Sequence, residues 1–313
     1  MLGLFGSKTQ IGVAIGTSSV KIAELKKSGK KYTLEHFGVA QIPADSIVNH
    51  EIVNPTAVVD ALKGLVSELK IKGKSVVASL SGTTVITKKI LLDQTPAREL
   101  DDAILWEAEQ YIPFDINEVV FDYQVLNKNG PEGKMEIMLV ACKRAIVEAY
   151  QSTLKEAGLN AATVDIDTFA LENTFELNYP QDVPAAIVQI GSNNMKLVVC
   201  AGGVPIYTRD SSVGGRNLTS EIQKHMNLSF QEAENIKISG SMTGQIPPEV
   251  AELMDIAVEN ITQEIKRSLD FFAASSNGLS VGYILLTGGS SRLNNLQKLV
   301  EVGCNLPAQY LNP

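Results

Sequence analysis

One short pattern of residues suited to chemistry stands twice in this chain. The first copy is Ala14-Ile15-Gly16-Thr17-Ser18-Ser19-Val20-Lys21-Ile22, and the second is Gln189-Ile190-Gly191-Ser192-Asn193-Asn194-Met195-Lys196-Leu197. Each reads as isoleucine and glycine, three small polar residues, an apolar residue, lysine and an aliphatic residue. Such a cluster suits oxyanions. Glycine permits unusual backbone conformations and close approach by a ligand, and consecutive backbone N–H groups with small hydroxyls form an anion nest. Lys21 and Lys196 add positive charge. Either copy alone reads as an ordinary hairpin turn. The matched pair predicts two related lobes, each presenting a tip to a shared cleft, where the tips bracket a di- or triphosphate.

Elements must hold these tips. Ile11-Gly12-Val13 and Ala186-Ile187-Val188 precede the two copies, and Ala23-Glu24-Leu25 and Val198-Val199-Cys200 follow them. Apolar runs around a Gly/Ser/Asn cluster predict β-hairpins, the first over residues 11–26. A third strand is expected over 32–41. A helix is expected from Pro55, with Val58, Leu62, Leu65, Val66 and Leu69 on one face, and then a strand over 75–81, as in an α/β lobe.

Between 82 and 158 the pattern changes. A strand over 83–92 leads to a helix from Pro96 and Glu99 whose inner stripe is Leu100, Ala103, Ile104, Ala108 and Tyr111. Strands over 119–126 and 135–142 flank a polar loop, and a helix over 144–157 stops at Gly158. This is a small α+β unit set into the first lobe. Leu105 and Trp106 lie off the helix's main stripe. Either both helix faces are buried between subdomains, or Trp106, Tyr111, Ile112 and Phe114 line a partner groove, for which aromatic anchors are suited. A strand over 161–166 then returns to the first lobe. Asp165 and Asp167 at its end read as helix caps or as a surviving carboxylate near the phosphates, with Asp165 the candidate catalytic residue.

The second lobe opens at Val183-Pro184. After its hairpin come a strand over 204–208 and Gly214-Gly215 ahead of a helix through Leu218, Ile222 and Met226. Ser229 and Glu232 form a capping box. Glu234 and Lys237 share a face at i, i+3 and read as a surface salt bridge or as a ribose or base contact. Pro247-Pro248 opens a long helix striped by Met254, Val258, Ile261, Ile265, Leu269 and Phe272. A strand then ends in Gly288-Gly289-Ser290, where a Gly-Gly step before a helix lets backbone lie against a base or phosphate.

The 313 residues suggest about two lobes, and 44% apolar with 20% charged residues is a globular composition. The net charge of −8 comes with no basic stripe, which argues against nucleic acid as a partner. No apolar run approaches the roughly 20 residues of a membrane span, and Met1-Leu2-Gly3-Leu4-Phe5-Gly6 is too short and uncharged for a signal peptide. Cys142, Cys200 and Cys304 are widely spaced and read as reduced thiols of a cytosolic protein. His36, His50 and His225 lack metal-ligand spacing, so no metal site is assigned.

The doubled hairpin resembles the phosphate loops of the actin/Hsp70/sugar-kinase superfamily. Ile284-Leu285-Leu286-Thr287-Gly288-Gly289 resembles that superfamily's adenosine loop, and Val213-Gly214-Gly215-Arg216 and Ala233-Glu234-Asn235-Ile236-Lys237 resemble elements of the division protein FtsA. More narrowly, Leu4-Phe5-Gly6, Trp106-Glu107-Ala108-Glu109-Gln110-Tyr111-Ile112-Pro113-Phe114, Phe169-Ala170-Leu171-Glu172-Asn173 and Arg267-Ser268-Leu269-Asp270-Phe271-Phe272 are similar to the PilM family of the type IV pilus machine.

The resemblance implies an α/β, two-lobed actin-like ATPase (ribonuclease H-like) fold with an inserted α+β subdomain of the FtsA 1C type. It implies a first lobe at 1–82 and 159–182, the insert at 83–158, a second lobe at 183–211 and 279–313, and its subdomain at 212–278. The ligand would be ATP or ADP. The implied role is a bacterial cytoplasmic scaffold peripheral to the inner membrane through its partners. It would bind the cytoplasmic N-terminal peptide of PilN between first lobe and insert, with pilus motor ATPases and platform proteins as further partners. Two other readings stay open, an active actin-like ATPase and an FtsA-like polymerising division protein. The family's aspartates are replaced here by Ala14 and Gln189. Mg²⁺ wants oxygen ligands, so the substitutions argue against firm Mg²⁺ binding and efficient hydrolysis more than against nucleotide binding through backbone N–H groups.

Overall fold

The computed structural model describes residues 9–29, 31–243, 246–276 and 278–313. The apolar start and the Leu4-Phe5-Gly6 marker lie outside them. The chain divides into two compact units, Met1–Asp167 and Thr168–Pro313.

In the first unit, β1 (Thr9–Ile15), β2 (Ser19–Ser28) and β3 (Lys31–Gln41) form an antiparallel meander. A ribbon of β4 (Ile47–Val48) and β5 (Glu51–Ile52) follows, and α1 (Pro55–Glu68) leads to β6 (Ser75–Leu80). Asn54 caps α1 by accepting from Ala57 N at 3.2 Å, and Pro55 sits in the first turn, where its missing N–H costs nothing. Val58, Val59, Leu62 and Leu65 of α1 pack on Ile11, Val13, Val20 and Ile22 of the hairpin. The helix comes close because position 38 is glycine; a Cβ there would stand 2.9 Å from Leu65 Cδ2.

The insert holds β7 (Val85–Leu92), α2 (Leu100–Tyr111), β8 (Val119–Asn127), β9 (Met135–Lys143) and α3 (Arg144–Glu156). Its sheet has the order β7-β9-β8, and Leu100, Ile104 and Ala108 of α2 pack on Ile90, Leu92, Ile137 and Leu139 in a core of its own. Then β10 (Asn160–Ile166) joins the main sheet, whose order is β10-β6-β1-β2-β3.

Three local expectations are corrected here. The strand expected from residue 83 begins at Val85, because Gly82–Thr84 forms a 3₁₀ turn held by Gly82 N donating to Asp167 Oδ1 at 2.9 Å. The helix expected from Pro96 begins at Leu100, since Glu99 N closes a separate turn on Pro96 O at 2.9 Å. Tyr111, expected inward, is exposed, and Ile112 takes its place in the insert's core.

The second unit begins one residue into α4 (Asp167–Asn178) and contains β11 (Ala185–Ile190), β12 (Met195–Ala201), β13 (Val204–Ser211), α5 (Gly215–Met226), α6 (Phe230–Thr243), α7 (Pro248–Ser275), β14 (Tyr283–Thr287), α8 (Leu296–Cys304) and β15 (Ala308–Tyr310). Its sheet has the order β13-β12-β11-β14-β15. Each main sheet is therefore an antiparallel meander extended by two parallel strands. The strands β11 and β12 are apolar almost throughout because both faces are covered. Ala185, Ile187, Val198, Cys200 and Leu285 meet Phe175 of α4, and Ala186, Val188, Leu197 and Val199 meet Leu218, Ile222, Ile261 and Ile265 of the other helices. The resemblance assigns 159–182 to the first lobe. Within that span β10 belongs to the first unit's sheet, while Phe175 of α4 packs in the second unit.

Candidate functional site

The two tips fold alike. Gly16 N donates to Ser19 O at 3.0 Å and Gly191 N to Asn194 O at 2.8 Å. A Cβ would stand 3.2 Å from Ser19 O at the first and 3.1 Å from Asn194 O at the second. Cross-strand partners also match, Ala14 with Lys21 and Gln189 with Lys196. Neither glycine has a positive φ. Glycine is thus set here by crowding against the turn's own carbonyl, not by backbone handedness, and each glycine's N–H closes its turn instead of facing a ligand. Among the described residues, no backbone hydrogen bond uses the N–H groups of Thr17, Ser18, Ser192 or Asn193. These are the donors each tip offers an anion.

The lysines differ. Lys196 is buried and lies between Gln189 and Asp210 on the neighbouring strands, with Nζ 4.0 Å from Asp210 Oδ1. Lys21 lies between Ala14 and Val39, and its Nζ donates to the buried Ser19 Oγ at 2.8 Å. Burial pushes Lys21 below the usual lysine value of 10.5. The row Asp165–Ser79–Ala14–Lys21 runs across the first sheet, which places Asp165 two strands from Ala14, roughly 10 Å at normal strand spacing. Asp165 Oδ1 accepts from Ile166 N at 2.8 Å, and Asp167 serves the 3₁₀ turn.

The lowered Lys21 value has a measurable consequence. Folded protein releases this proton before unfolded protein does, so the group's contribution to stability rises as pH climbs from the folded value towards 10.5. Ala14→Asp sets a carboxylate across from Lys21, which raises its pKa and flattens that rise. Denaturation midpoints against pH report it; an equal rise in both proteins excludes the pairing.

In the second unit, two segments, 214–216 and 288–290, close on the tip. Gly215 N donates to Gly191 O at 3.0 Å, Arg216 N to Ser192 O at 2.8 Å, and Ser290 Oγ to Gly191 O at 2.9 Å. A Cβ on Gly214 would lie 2.2 Å from Ser192 O, and one on Gly288, at φ 87°, 2.3 Å from Ile190 O. Gly289 has open space around its would-be Cβ. The expected helix after Gly288-Gly289 is a four-residue 3₁₀ turn, Gly289–Arg292, too short for a helix dipole to act on an anion. Gly215 is the first residue of α5.

Lys237 is buried, and its Nζ donates to Glu234 Oε2 at 2.7 Å, Thr219 Oγ1 at 2.9 Å and Gly215 O at 3.3 Å. Burial lowers its pKa against the opposing pull of Glu234. The pair is therefore not the surface bridge that its spacing also allowed. It is a strut that ties α6 to the first turn of α5 and so steadies the tip. Sequence reasoning missed Thr219 at its centre. The available signal was its i+4 spacing from Gly215, whose carbonyl lies 3.0 Å from Thr219 Oγ1.

On the insert, Trp106 is 75% exposed, and Tyr111 and Phe114 are also exposed. Burial of both α2 faces is therefore corrected for Trp106. Ile112 is 5% exposed and belongs to the core, so it lines no groove. Lys143 Nζ stands 4.4 Å from the Phe114 ring centre and Lys88 Nζ 5.6 Å from that of Tyr111, so each of these two exposed rings has a cation beside it.

Among the described residues, no group of three His, Cys, Asp or Glu side chains could hold a metal. At the equivalent positions of the two tips, Ala14 offers a metal ion no oxygen ligand and Gln189 only a neutral amide. The N–H groups of Thr17, Ser18, Ser192 and Asn193 are donors of the kind that suit phosphate oxygens.

A family model for type IV pilus assembly protein PilM matches residues 12–313. A solved PilM-PilN type IV pilus biogenesis complex is similar at TM-score 0.82 and 27% identity, covering 97% of this chain and 88% of that one. MreB5 of Spiroplasma citri bound to AMPPNP is similar at TM-score 0.55 and 13% identity, over 98% of this chain and 92% of that one. Cell division protein FtsA of Helicobacter pylori is 22% identical over 217 residues, which is 60% of this chain and 43% of that protein, less than half its length. The fold is the actin-like ATPase fold.

Proposed function

This chain belongs to the family of type IV pilus assembly protein PilM, and from that premise we propose that it is a cytoplasmic scaffold of the pilus assembly platform. Its partner is the N-terminal cytoplasmic peptide of PilN, held between the first lobe and the insert. Its nucleotide loops bind ATP or ADP weakly, hydrolyse it poorly, and relay nucleotide or motor state to the platform. No helix among the described residues is long and apolar enough to cross a membrane, and the proposed membrane association is peripheral, through partners.

The observation that carries this reading is Trp106, a large aromatic left 75% exposed on a folded subdomain, with Tyr111 and Phe114 exposed near it in sequence. Exposed aromatics of this kind act as anchors when a partner covers them. The PilM-PilN complex among the similar structures supports PilN as that partner.

Calorimetric titration with a synthetic PilN N-terminal peptide tests it. One peptide binds per chain, and the fluorescence of Trp106, the single tryptophan, shifts on binding. Trp106→Ala weakens binding by at least tenfold, in line with a hot spot of about 2 kcal/mol. No heat with the wild-type chain, or equal affinity in the variant, refutes the assignment.

A further inference from the structure

Among the described residues, the edge strand β3 is long, apolar on one face and paired on one side only. It ends its sheet, spans 11 residues, and is exposed throughout its first seven. Tyr32, Leu34, Phe37 and Val39 stand opposite Lys27, Leu25, Ala23 and Lys21 of β2, which are alternate residues and so share one face. This holds despite the odd spacing of Leu34 and Phe37. The register shifts beside Leu25, and Glu35 has no β2 partner. Leu34 is 57% and Phe37 56% exposed. A Cβ on Gly38 would meet Leu65 of α1 and Leu69 just past its end, on the face opposite Phe37. The second unit treats its edges differently. Its matching strand β13 carries Pro205, and β15 has only three residues, both of which are ordinary ways to block edge pairing.

We propose that β3 pairs antiparallel with β3 of a second copy of this chain, joining two sheets across a two-fold axis. The occupant follows from the strand's self-complementarity. With Glu35 opposite His36 of the second copy, Leu34 falls opposite Phe37, Tyr32 opposite Val39, Thr33 opposite Gly38 and Lys31 opposite Ala40. The two-fold axis repeats every pair. Apolar residues meet apolar residues on one face, the one carboxylate meets the one imidazole, and no like charges face each other. His36 Nδ1 already lies 2.7 Å from Glu24 Oε2, so the imidazole would stand between two carboxylates. The shifted stretches coincide, so neither strand needs a further bulge. A slip by one residue would set the apolar set against the wrong face.

Sedimentation velocity over a concentration series is expected to show monomers passing to a species of twice the chain mass, with Leu34→Lys and Phe37→Lys each holding the chain monomeric while circular dichroism stays native. Single-cysteine variants fix the register. Leu34→Cys mixed with Phe37→Cys cross-links on oxidation, and neither variant does so alone, since each position faces the other and not itself; wild type reports the background of Cys142, Cys200 and Cys304. A wild-type chain that stays monomeric, a dimer that survives both lysine variants, or cross-linking that is equal in single and mixed samples overturns the proposal. So does a monomer whose lysine variants lose binding of another protein, which would assign the edge to an extended foreign strand.

Discussion

Gly288→Ala is expected to be among the most damaging single-methyl changes in this protein, lowering stability by on the order of 4 kcal/mol. Two effects add. A left-handed φ of 87° is strained for any residue with a Cβ, at about 1–3 kcal/mol. The new methyl would also stand 2.3 Å from Ile190 O and 2.8 Å from Ile190 C, backbone atoms at the root of the second tip, and overpacking costs about 1–3 kcal/mol more. Gly289→Ala is the control. It has neither a positive φ nor a neighbour within 4 Å, so its effect is expected within about 0.5 kcal/mol. Denaturant midpoints of the two variants measure the difference. Equal midpoints would mean that Gly288 is not pressed on the tip.

Lys237→Met is expected to cost about 3 kcal/mol, the lower end of the range for breaking a buried pair, because Glu234 keeps some contact with water. The loss comes mainly from what is left behind, since Glu234, Thr219 Oγ1 and Gly215 O all lose a donor. Adding Glu234→Gln removes the stranded charge, so the double variant should be more stable than Lys237→Met alone. A double-mutant cycle by chemical denaturation reads the coupling. A coupling near zero would return the pair to the status of a surface bridge.

Much of the fold was legible because the decisive signals were local. Apolar runs flanking a glycine cluster gave both hairpins, and the helical stripe of α1 and the spacing of Met254, Val258 and Ile261 gave their helices. The misplaced starts at 83 and 96 came from turns whose hydrogen bonds leave no periodicity. Glu234 and Lys237 show the harder case. An i, i+3 pair reads the same whether solvent or α5 lies over it, so its burial depends on packing that no short window contains. Gly288 likewise reads as a residue that lets backbone lie against a base or phosphate, and sequence alone does not show that the tip's own backbone crowds the space beside it. The shared face of Leu34 and Phe37 stayed hidden because a bulge breaks the period on which strand reading depends.

The contest between scaffold and enzyme turns on what the tips lack. Both keep N–H donors and a lysine, and neither keeps a carboxylate at 14 or 189. Phosphate release from Mg²⁺·ATP by the whole purified chain, beside Gly16→Val, tests this most directly. Release only slightly above the protein-free blank, well short of steady turnover, is the expected result. Steady turnover by the wild-type chain that disappears in Gly16→Val would contradict it.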